Sequence, residues 1–255
     1  MKQKNQRKFI TSHQSPVTAL ITGASRGLGL ELSKLLTEKG WQIFGVSRSQ
    51  IHWKSAKKKV ASKNFHLIQA DVSSASSVTD LFQLIKKTSP KIDLLVNSAA
   101  YGGKLDRIED TLPEEFETHF KQNLLSVFLM CRAALPFLKK SKVPLVMNVS
   151  SMAGVRAVPR IAGYSASKFG VLAMTEVLAK ENPDWLKVVT VCPGGMNTKM
   201  RSDLFGKEDA ARQQTPAFVA NKMMQILSDE LPVLSASHVV IRHGKITQIM
   251  VPPNT

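Results

Sequence analysis

The sequence lacks the features that would place it in a membrane, outside the cell or around a metal. None of its apolar runs approaches the roughly 20 residues needed to span a bilayer. The amino terminus, MKQKNQRKFITSHQSP, is charged and polar, without the apolar stretch of a secretory signal. It reads as a loosely held basic tail over residues 1–15, and the cytoplasm is the expected address. Cysteine is scarce: Cys131 and Cys192 lie far apart, offer no disulfide framework, and are expected to be reduced and buried. No Cys/His cluster has the spacing of a zinc site, so no metal is expected.

Acidic residues are also few. The chain has 19 Asp and Glu against 35 Lys and Arg, a formal net charge of +16. Lys2, Lys4, Arg7 and Lys8 crowd the tail; Lys54, Lys57, Lys58, Lys59 and Lys63 crowd one short segment. Excess positive charge attracts anionic partners without naming them. An acidic carrier protein, a phosphorylated substrate, nucleic acid and a plain solvated surface all fit, and the solvated surface is commonest. The basic clusters lack interleaved aromatics apart from Trp53, and no nucleic-acid-binding motif accompanies them, which argues against nucleic acid.

What is present is an alternation of two periodicities. A chain of 255 residues with 43% apolar composition can bury a large core. Val17–Thr22 reads as a buried strand, with Leu28, Leu32, Leu35 and Leu36 at helical spacing behind it. Trp41–Val46, Phe65–Ala70 and Ile92–Val96 are the next strands, with Val78, Leu81, Phe82 and Ile85 on a helix before the last. A long helix is expected from about Pro113 to Leu138, with Phe116, Phe120, Leu124, Val127, Phe128 and Cys131 on one face. Strands at Pro144–Val149 and Leu186–Val191 bracket a helix at Tyr164–Lys180. A weaker helix near Phe218–Leu227 leads to a last short strand, His238–Ile241. This rhythm calls for parallel βαβ units and one α/β domain over residues 16–255. Right-handed crossovers then give a doubly wound, Rossmann-like parallel sheet of about seven strands with helices on both faces.

Thr22-Gly23-Ala24-Ser25-Arg26-Gly27-Leu28-Gly29 joins the first strand to the first helix. Gly23 permits a tight turn, Gly27 a close approach to a pyrophosphate, and Gly29 close packing of helix on strand. The helix amino terminus supplies N–H groups and a positive dipole end for an anion. At the end of the second strand, an acidic residue would bind the ribose 2′-hydroxyl of NAD and repel a 2′-phosphate. Ser47-Arg48-Ser49 stands there instead. Arg48 and Arg26 can fork onto a phosphate, or be two ordinary surface arginines; the expected cofactor is NADP(H), preferred over NAD(H).

The GxxxGxG spacing resembles the short-chain dehydrogenase/reductase family, and further motifs fit over roughly residues 17–200. Asp71-Val72 resembles the pair bordering the adenine. Asn97-Ser98-Ala99-Ala100 resembles the family's NNAG, with Ala100 in place of the glycine. Pro193-Gly194 through Thr198 matches PGxxxT, whose threonine holds the nicotinamide carboxamide in the family. Tyr164 and Lys168 form YxxxK, a spacing that puts both side chains on one helix face. Alone it is a common accident, but Ser151, thirteen positions earlier, matches the family's serine, with Ser150 as its neighbour. Asn123 matches the fourth catalytic member.

The resemblance implies cofactor contacts from Gly23, Ser25, Arg26, Gly27, Leu28, Gly29, Arg48, Asp71, Val72, Asn97, Tyr164, Lys168, Pro193, Gly194 and Thr198. It also implies a mechanism for reducing a carbonyl: Ser151 and Tyr164 polarise the oxygen, and Tyr164 acts as general acid. Lys168 lowers the tyrosine's pKa, and Asn123 positions a water that relays protons. The expected partner is a small carbonyl or alcohol substrate, with a 3-oxoacyl group on an acidic carrier or coenzyme as one candidate. Helix pairing across a two-fold axis implies a homodimer or homotetramer. The ending HVVIRHGKITQIMVPPNT departs from carrier reductases, whose last strand runs into a glycine-rich tail. The polar segment from Lys199 to about Pro216 suggests an abbreviated lid over an open pocket. A cofactor-sensing or scaffold protein on the same fold is the alternative, although all four reacting positions are kept.

Overall fold

The computed structural model describes residues 17–253; the basic tail expected over residues 1–15 lies outside the described residues. The chain runs β1 (Thr18–Thr22), α1 (Gly27–Glu38), β2 (Gln42–Ser47), α2 (Trp53–Val60), β3 (Phe65–Gln69), α3 (Ala75–Thr88), β4 (Leu94–Asn97), α4 (Pro113–His119) and α5 (Ser126–Leu138). It continues through β5 (Leu145–Val149), α6 (Ala162–Glu181), β6 (Lys187–Pro193), α7 (Lys199–Phe205), α8 (Lys207–Ala211), α9 (Pro216–Leu227), β7 (His238–Arg242) and β8 (Lys245–Met250).

Alternation along the strands divides the core in two. Ala19, Ile21, Leu94, Val96, Leu145 and Met147 face α1, α2 and α9, whereas Leu20, Leu95 and Val146 face α3, α5 and α6. Each fully buried leucine or isoleucine contributes about 1.5–3 kcal/mol. Strands covered on both faces read as continuous apolar runs, as a parallel sheet requires. Strand order is β3-β2-β1-β4-β5-β6-β7-β8, parallel throughout except for β8. The order reverses between β1 and β4, so a crevice opens at the carboxyl ends of these strands, where such sheets bind ligands.

The doubly wound, Rossmann-like fold expected from the sequence is the one observed, and three details of the expectation are corrected. The sheet has eight strands, not about seven: His243 and Gly244 take positive φ (49° and 69°) and turn the chain back as β8, antiparallel to β7. Residues of β8 are half-buried or exposed, so its apolar signal is thin. The long helix is broken by a π turn, Phe120–Leu125, between α4 and α5. The extra residue rotates the helix face, so Val127 and Cys131 are buried while Phe116 and Phe128 are 38% and 40% exposed. The lysine-rich segment forms α2, a helix that sinks only Ala56 and Val60 and so carries almost no apolar stripe. Cys192 lies within β6 rather than after it. Among the described residues no helix is long and apolar enough to cross a membrane.

The β1–α1 turn packs tightly over β2. A Cβ on Gly45 would meet Ala24 Cβ and Phe65 Cε2, each at 2.9 Å. Gly45→Ala is expected to lower stability by about 1–3 kcal/mol, as overpacking does, read as an earlier midpoint in urea unfolding. An unchanged midpoint would mean that the turn yields at no cost.

Candidate active site

At the end of β1 the chain turns through Gly23–Arg26 into α1. Gly27 has φ +58°, and a Cβ there would make an ordinary van der Waals contact with Thr198 Cγ2 at 3.8 Å, so this turn lies close to the loop after β6. Gly29 is needed for contact: its Cβ would stand 2.6 Å from the Gly23 carbonyl oxygen. Arg26 provides no side-chain cap, and the first turn of α1 holds no acidic residue. The helix therefore offers bare N–H groups to an anion. Thr22 Oγ1 accepts from Ser98 N and Ala99 N, both at 3.0 Å, and so ties the loop after β4 to this turn. Ser25 and Leu28 are buried, and Leu28 belongs to the α1–α9 core, so its backbone is the part that faces the turn.

A second group of charges gathers where β2 ends. Arg48 donates to Gln122 Oε1 at 3.4 Å, and Arg26 Nη1 lies 3.5 Å from His52 Nε2. His52 precedes α2 and was not anticipated from the sequence, since no motif marks it. Burial raises the Asp71 pKa, but hydrogen bonds from Ser73 and the charges of Arg48 and Lys121 outweigh it and hold the carboxyl below its ordinary value. Val72 is buried against α3. Asn97 is also buried, and its amide donates to Asn148 Oδ1 at 2.8 Å, while Asn97 Oδ1 has no partner among the described residues. The residues present fit a dinucleotide: a glycine turn without a side chain at Gly27, uncapped helix N–H groups, and a cationic corner at β2.

The reacting groups meet at the ends of β5 and β6. Ser151 leaves β5 in extended conformation and caps the single turn Met152–Gly154, accepting from Ala153 N at 3.1 Å. Its hydroxyl is hydrogen-bonded to Tyr164. Ser150 instead donates to the Lys168 carbonyl at 2.8 Å, which leaves Ser151 as the serine facing the tyrosine. Lys168, one turn after Tyr164 on α6, is 2% exposed and donates from Nζ to the Val149 carbonyl at 2.9 Å. Its ammonium lies 5.8 Å from the Tyr164 ring centroid. Burial lowers the Lys168 pKa to about 8. Burial also raises the Tyr164 pKa, and the Ser151 hydrogen bond works the other way.

Asn123 sits inside the π turn, fully buried. Its Oδ1 accepts from Tyr101 N at 2.7 Å, and its Nδ2 reaches Tyr101 O and Ser167 Oγ, both at 3.1 Å. Ser167 in turn donates to the Tyr164 carbonyl at 2.8 Å. Ser151, Tyr164 and Lys168 are thus brought together directly, and Asn123 joins them through Ser167.

Ser151 and Tyr164 open onto a cavity of about 720 Å³, with Pro193, Gly194 and Thr198 on its wall. The segment 199–216, expected as an abbreviated polar lid, folds as α7 and α8. It lines the cavity with Arg201, Arg212, Gln213, Gln214 and Thr215, and α7 adds Met200, Leu204 and Phe205, an apolar side that was not expected. Helical amphipathicity hid the apolar side, because only every third or fourth residue carries it.

A family profile described as short chain dehydrogenase matches residues 17–209. The chain belongs to the short-chain dehydrogenase family. An NADPH-dependent pterin aldehyde reductase of Arabidopsis thaliana is 30% identical over 212 residues, 83% of this chain and 88% of that protein. The crystal structure of levodione reductase superimposes with a TM-score of 0.83 at 25% identity, over 89% of this chain and 96% of that one. A 3-ketoacyl-(acyl-carrier-protein) reductase from Brucella melitensis, complexed with NADH, gives 0.81 at 26% identity, over 88% and 96%.

Around the short-chain dehydrogenase motifs stands a polar group that the motifs do not include. His119 is 4% exposed, its ring 5.1 Å from that of Tyr101 and 6.1 Å, edge-on, from that of Tyr164. Its Nδ1 lies 3.4 Å from Asn123 Nδ2 and its Nε2 3.6 Å from Glu115 Oε1, which also accepts from the Tyr101 hydroxyl. Burial lowers the His119 pKa, against the opposing charge of Glu115. Gly163 makes room for the ring, as a Cβ there would meet His119 Cδ2 at 2.7 Å. The i, i+4, i+8 spacing of Glu115, His119 and Asn123 was the available signal.

Burying Lys168 has a measurable cost. The fall from 10.5 to about 8 corresponds to about 3 kcal/mol against the ammonium at about 1.4 kcal/mol per pH unit. The unfolded chain holds its proton up to 10.5, so stability rises with pH between about 8 and 10.5. Lys168→Met, which loses one hydrogen bond, is expected to stabilise the fold at pH 7 by roughly 1–2 kcal/mol. In thermal unfolding the advantage should shrink as pH approaches 10; a destabilised variant at pH 7 would refute a penalised ammonium.

Proposed function

We propose that this protein is an NADP(H)-dependent oxidoreductase that interconverts a carbonyl compound and its secondary alcohol, with Tyr164 as general acid and base. The observation that carries this reading is the meeting of Ser151 and Tyr164 on a cavity wall, with Lys168 buried one helical turn after Tyr164. Bound NADPH would supply the hydride. Ser151 and Tyr164 place two hydroxyls where one carbonyl oxygen can accept from both, and these donors strengthen as negative charge grows on that oxygen. Tyr164 then gives its proton to the oxygen. Lys168, still an ammonium below about pH 8, stabilises the phenolate left behind. Two of its three N–H groups remain after the bond to Val149, enough to hold a cofactor ribose and to donate a replacement proton toward the phenolate. Asn123 keeps the Tyr101 backbone and the Tyr164 turn in register.

Preference for NADP(H) over NAD(H) is supported by Arg26, Arg48 and His52 around an end of β2 that lacks a carboxylate. The NADPH dependence named for the Arabidopsis relative agrees with it. Leu125, Phe128, Phe169 and Val177, exposed on the π turn, α5 and α6, support pairing of copies as a homodimer or homotetramer.

Oxidation of NADPH, followed by absorbance against a panel of ketones, aldehydes and 3-oxoacyl thioesters, tests the reaction. Tyr164→Phe should reduce turnover by roughly 10²- to 10⁴-fold while NADPH still binds. A protein that binds neither dinucleotide would overturn the proposal. For the cofactor, Arg48→Ala with Arg26→Ala should raise KM for NADPH roughly ten- to hundredfold and leave KM for NADH nearly unchanged. An equal loss for both would assign these arginines no role in choosing the phosphate.

A further inference from the structure

The cavity wall is electrically one-sided. Arg156, Arg201, Arg212 and Arg242 line it, together with His243, and no Asp or Glu does. Two of the four guanidiniums already have carboxylate partners outside the wall. Arg201 is bound in bidentate fashion to Asp209 and stacks 3.8 Å from the Phe205 ring centroid. Arg212 faces Glu208 at 3.9 Å. Arg156 and Arg242 have no side-chain hydrogen bond and no ion pair among the described residues.

These two come from unrelated elements and converge on one space. Arg156 follows the single turn that Ser151 caps. Arg242 ends β7, and its stem lies across Gly194, where a Cβ would stand 2.9 Å from Arg242 Cγ. The hairpin turn at His243 and Gly244 fixes that end of β7. The rest of the wall includes Met152, Met196, Met200, Leu204 and Phe218, with Gln213, Gln214 and Thr215 as its neutral polar part. Arg242 is half-buried and Arg156 exposed at the cavity mouth, and without a counter-ion among the described residues they leave a positive potential for an anion. The cofactor's phosphates do not answer it, because their cationic corner, Arg26 and Arg48, lies outside this wall.

We infer that the substrate of this site is an anionic carbonyl compound: an apolar body with a carboxylate or phosphate at the end remote from the carbonyl, received by Arg156 and Arg242. Planar guanidiniums match either oxyanion. Methionines let one wall accept bodies of different shape. The inference rests on the reductase reading proposed above and adds the class of its substrate.

Three probes that differ at one end test it: 4-acetylbenzoate, methyl 4-acetylbenzoate and 4-acetylphenyl phosphate, each with the full chain and NADPH. The anions should exceed the neutral ester in kcat/KM by roughly tenfold or more at low salt, with the advantage shrinking as salt is added. Arg156→Gln and Arg242→Gln should remove it through KM, and Arg132→Gln, exposed on α5, should not. A phosphate favoured over the carboxylate identifies phosphate as the natural group; the reverse identifies carboxylate. An ester reduced as well as the anions, or a preference that survives both substitutions, overturns the inference and leaves the reductase reading intact. If none of the three turns over, calorimetric titration into the NADPH-loaded protein decides. Anion binding abolished in the double variant supports the inference, and absence of binding overturns it. Failure to bind NADPH would instead remove the reductase reading itself.

Discussion

Lys168 places an ammonium in the interior, 2% exposed, with the Val149 carbonyl as its one hydrogen-bond partner. The rest of the active site is arranged around that burial. The carbonyl belongs to the last residue of β5, so the charge is referenced to the sheet rather than to a loop. Tyr164, one helical turn earlier, is carried into position by the same helix, and Ser151 by the same strand. Chemistry that needs three groups in register therefore depends on one strand–helix contact. The tuning follows from the location: burial pulls the ammonium down to about 8, so it remains charged at neutral pH but close to release.

A second constraint lies at the reversal of strand order. Thr22 gathers two backbone N–H groups from the loop after β4, and Gly29 lets α1 close on the turn before it. The two segments that would cradle a dinucleotide are thereby held by strands that hydrogen-bond to each other. A buried polar chain, Asn97 to Asn148 to Thr175 to Thr190, runs from β4 through β5 and α6 to β6 beneath the reacting groups. Such a fully buried chain resists sliding between strands, because each slip would strand a donor or acceptor. Asn97, expected at the cofactor, is the first link of that chain.

Charge divides by location rather than by total. The net charge of +16 is spread over tail, helix faces and loops, and most of it is solvated. Two places differ. At the end of β2, Arg26, Arg48 and His52 gather where a ribose phosphate would lie. At the cavity, Arg156 and Arg242 share one wall without a counter-ion among the described residues. Composition alone could not separate these from the lysines of α2, since what distinguishes them is their place beside the glycine turn and the cavity, a property of the folded surface.

Local chemistry is what the sequence by itself determined. Period-2 apolar runs separated by 3.6-period segments require a covered parallel sheet, and the glycine turn, YxxxK and Ser151 each act over a few residues, so their spacing is readable without a fold. Tertiary structure decided what depends on distant partners. The π turn that seats Asn123 lies where the long helix changes neighbours, α4 and the turn packing on α6 and α5 on α3 and the sheet. The edge strand β8 shows little pattern because only one side of it is covered. His119 gains its meaning only beside Tyr101, Glu115 and Tyr164, and Arg242 only where its stem crosses Gly194. Spacing along the chain reports which side chains share a helix or strand; which residues from separate elements meet, and how much water is left between them, is set by packing alone.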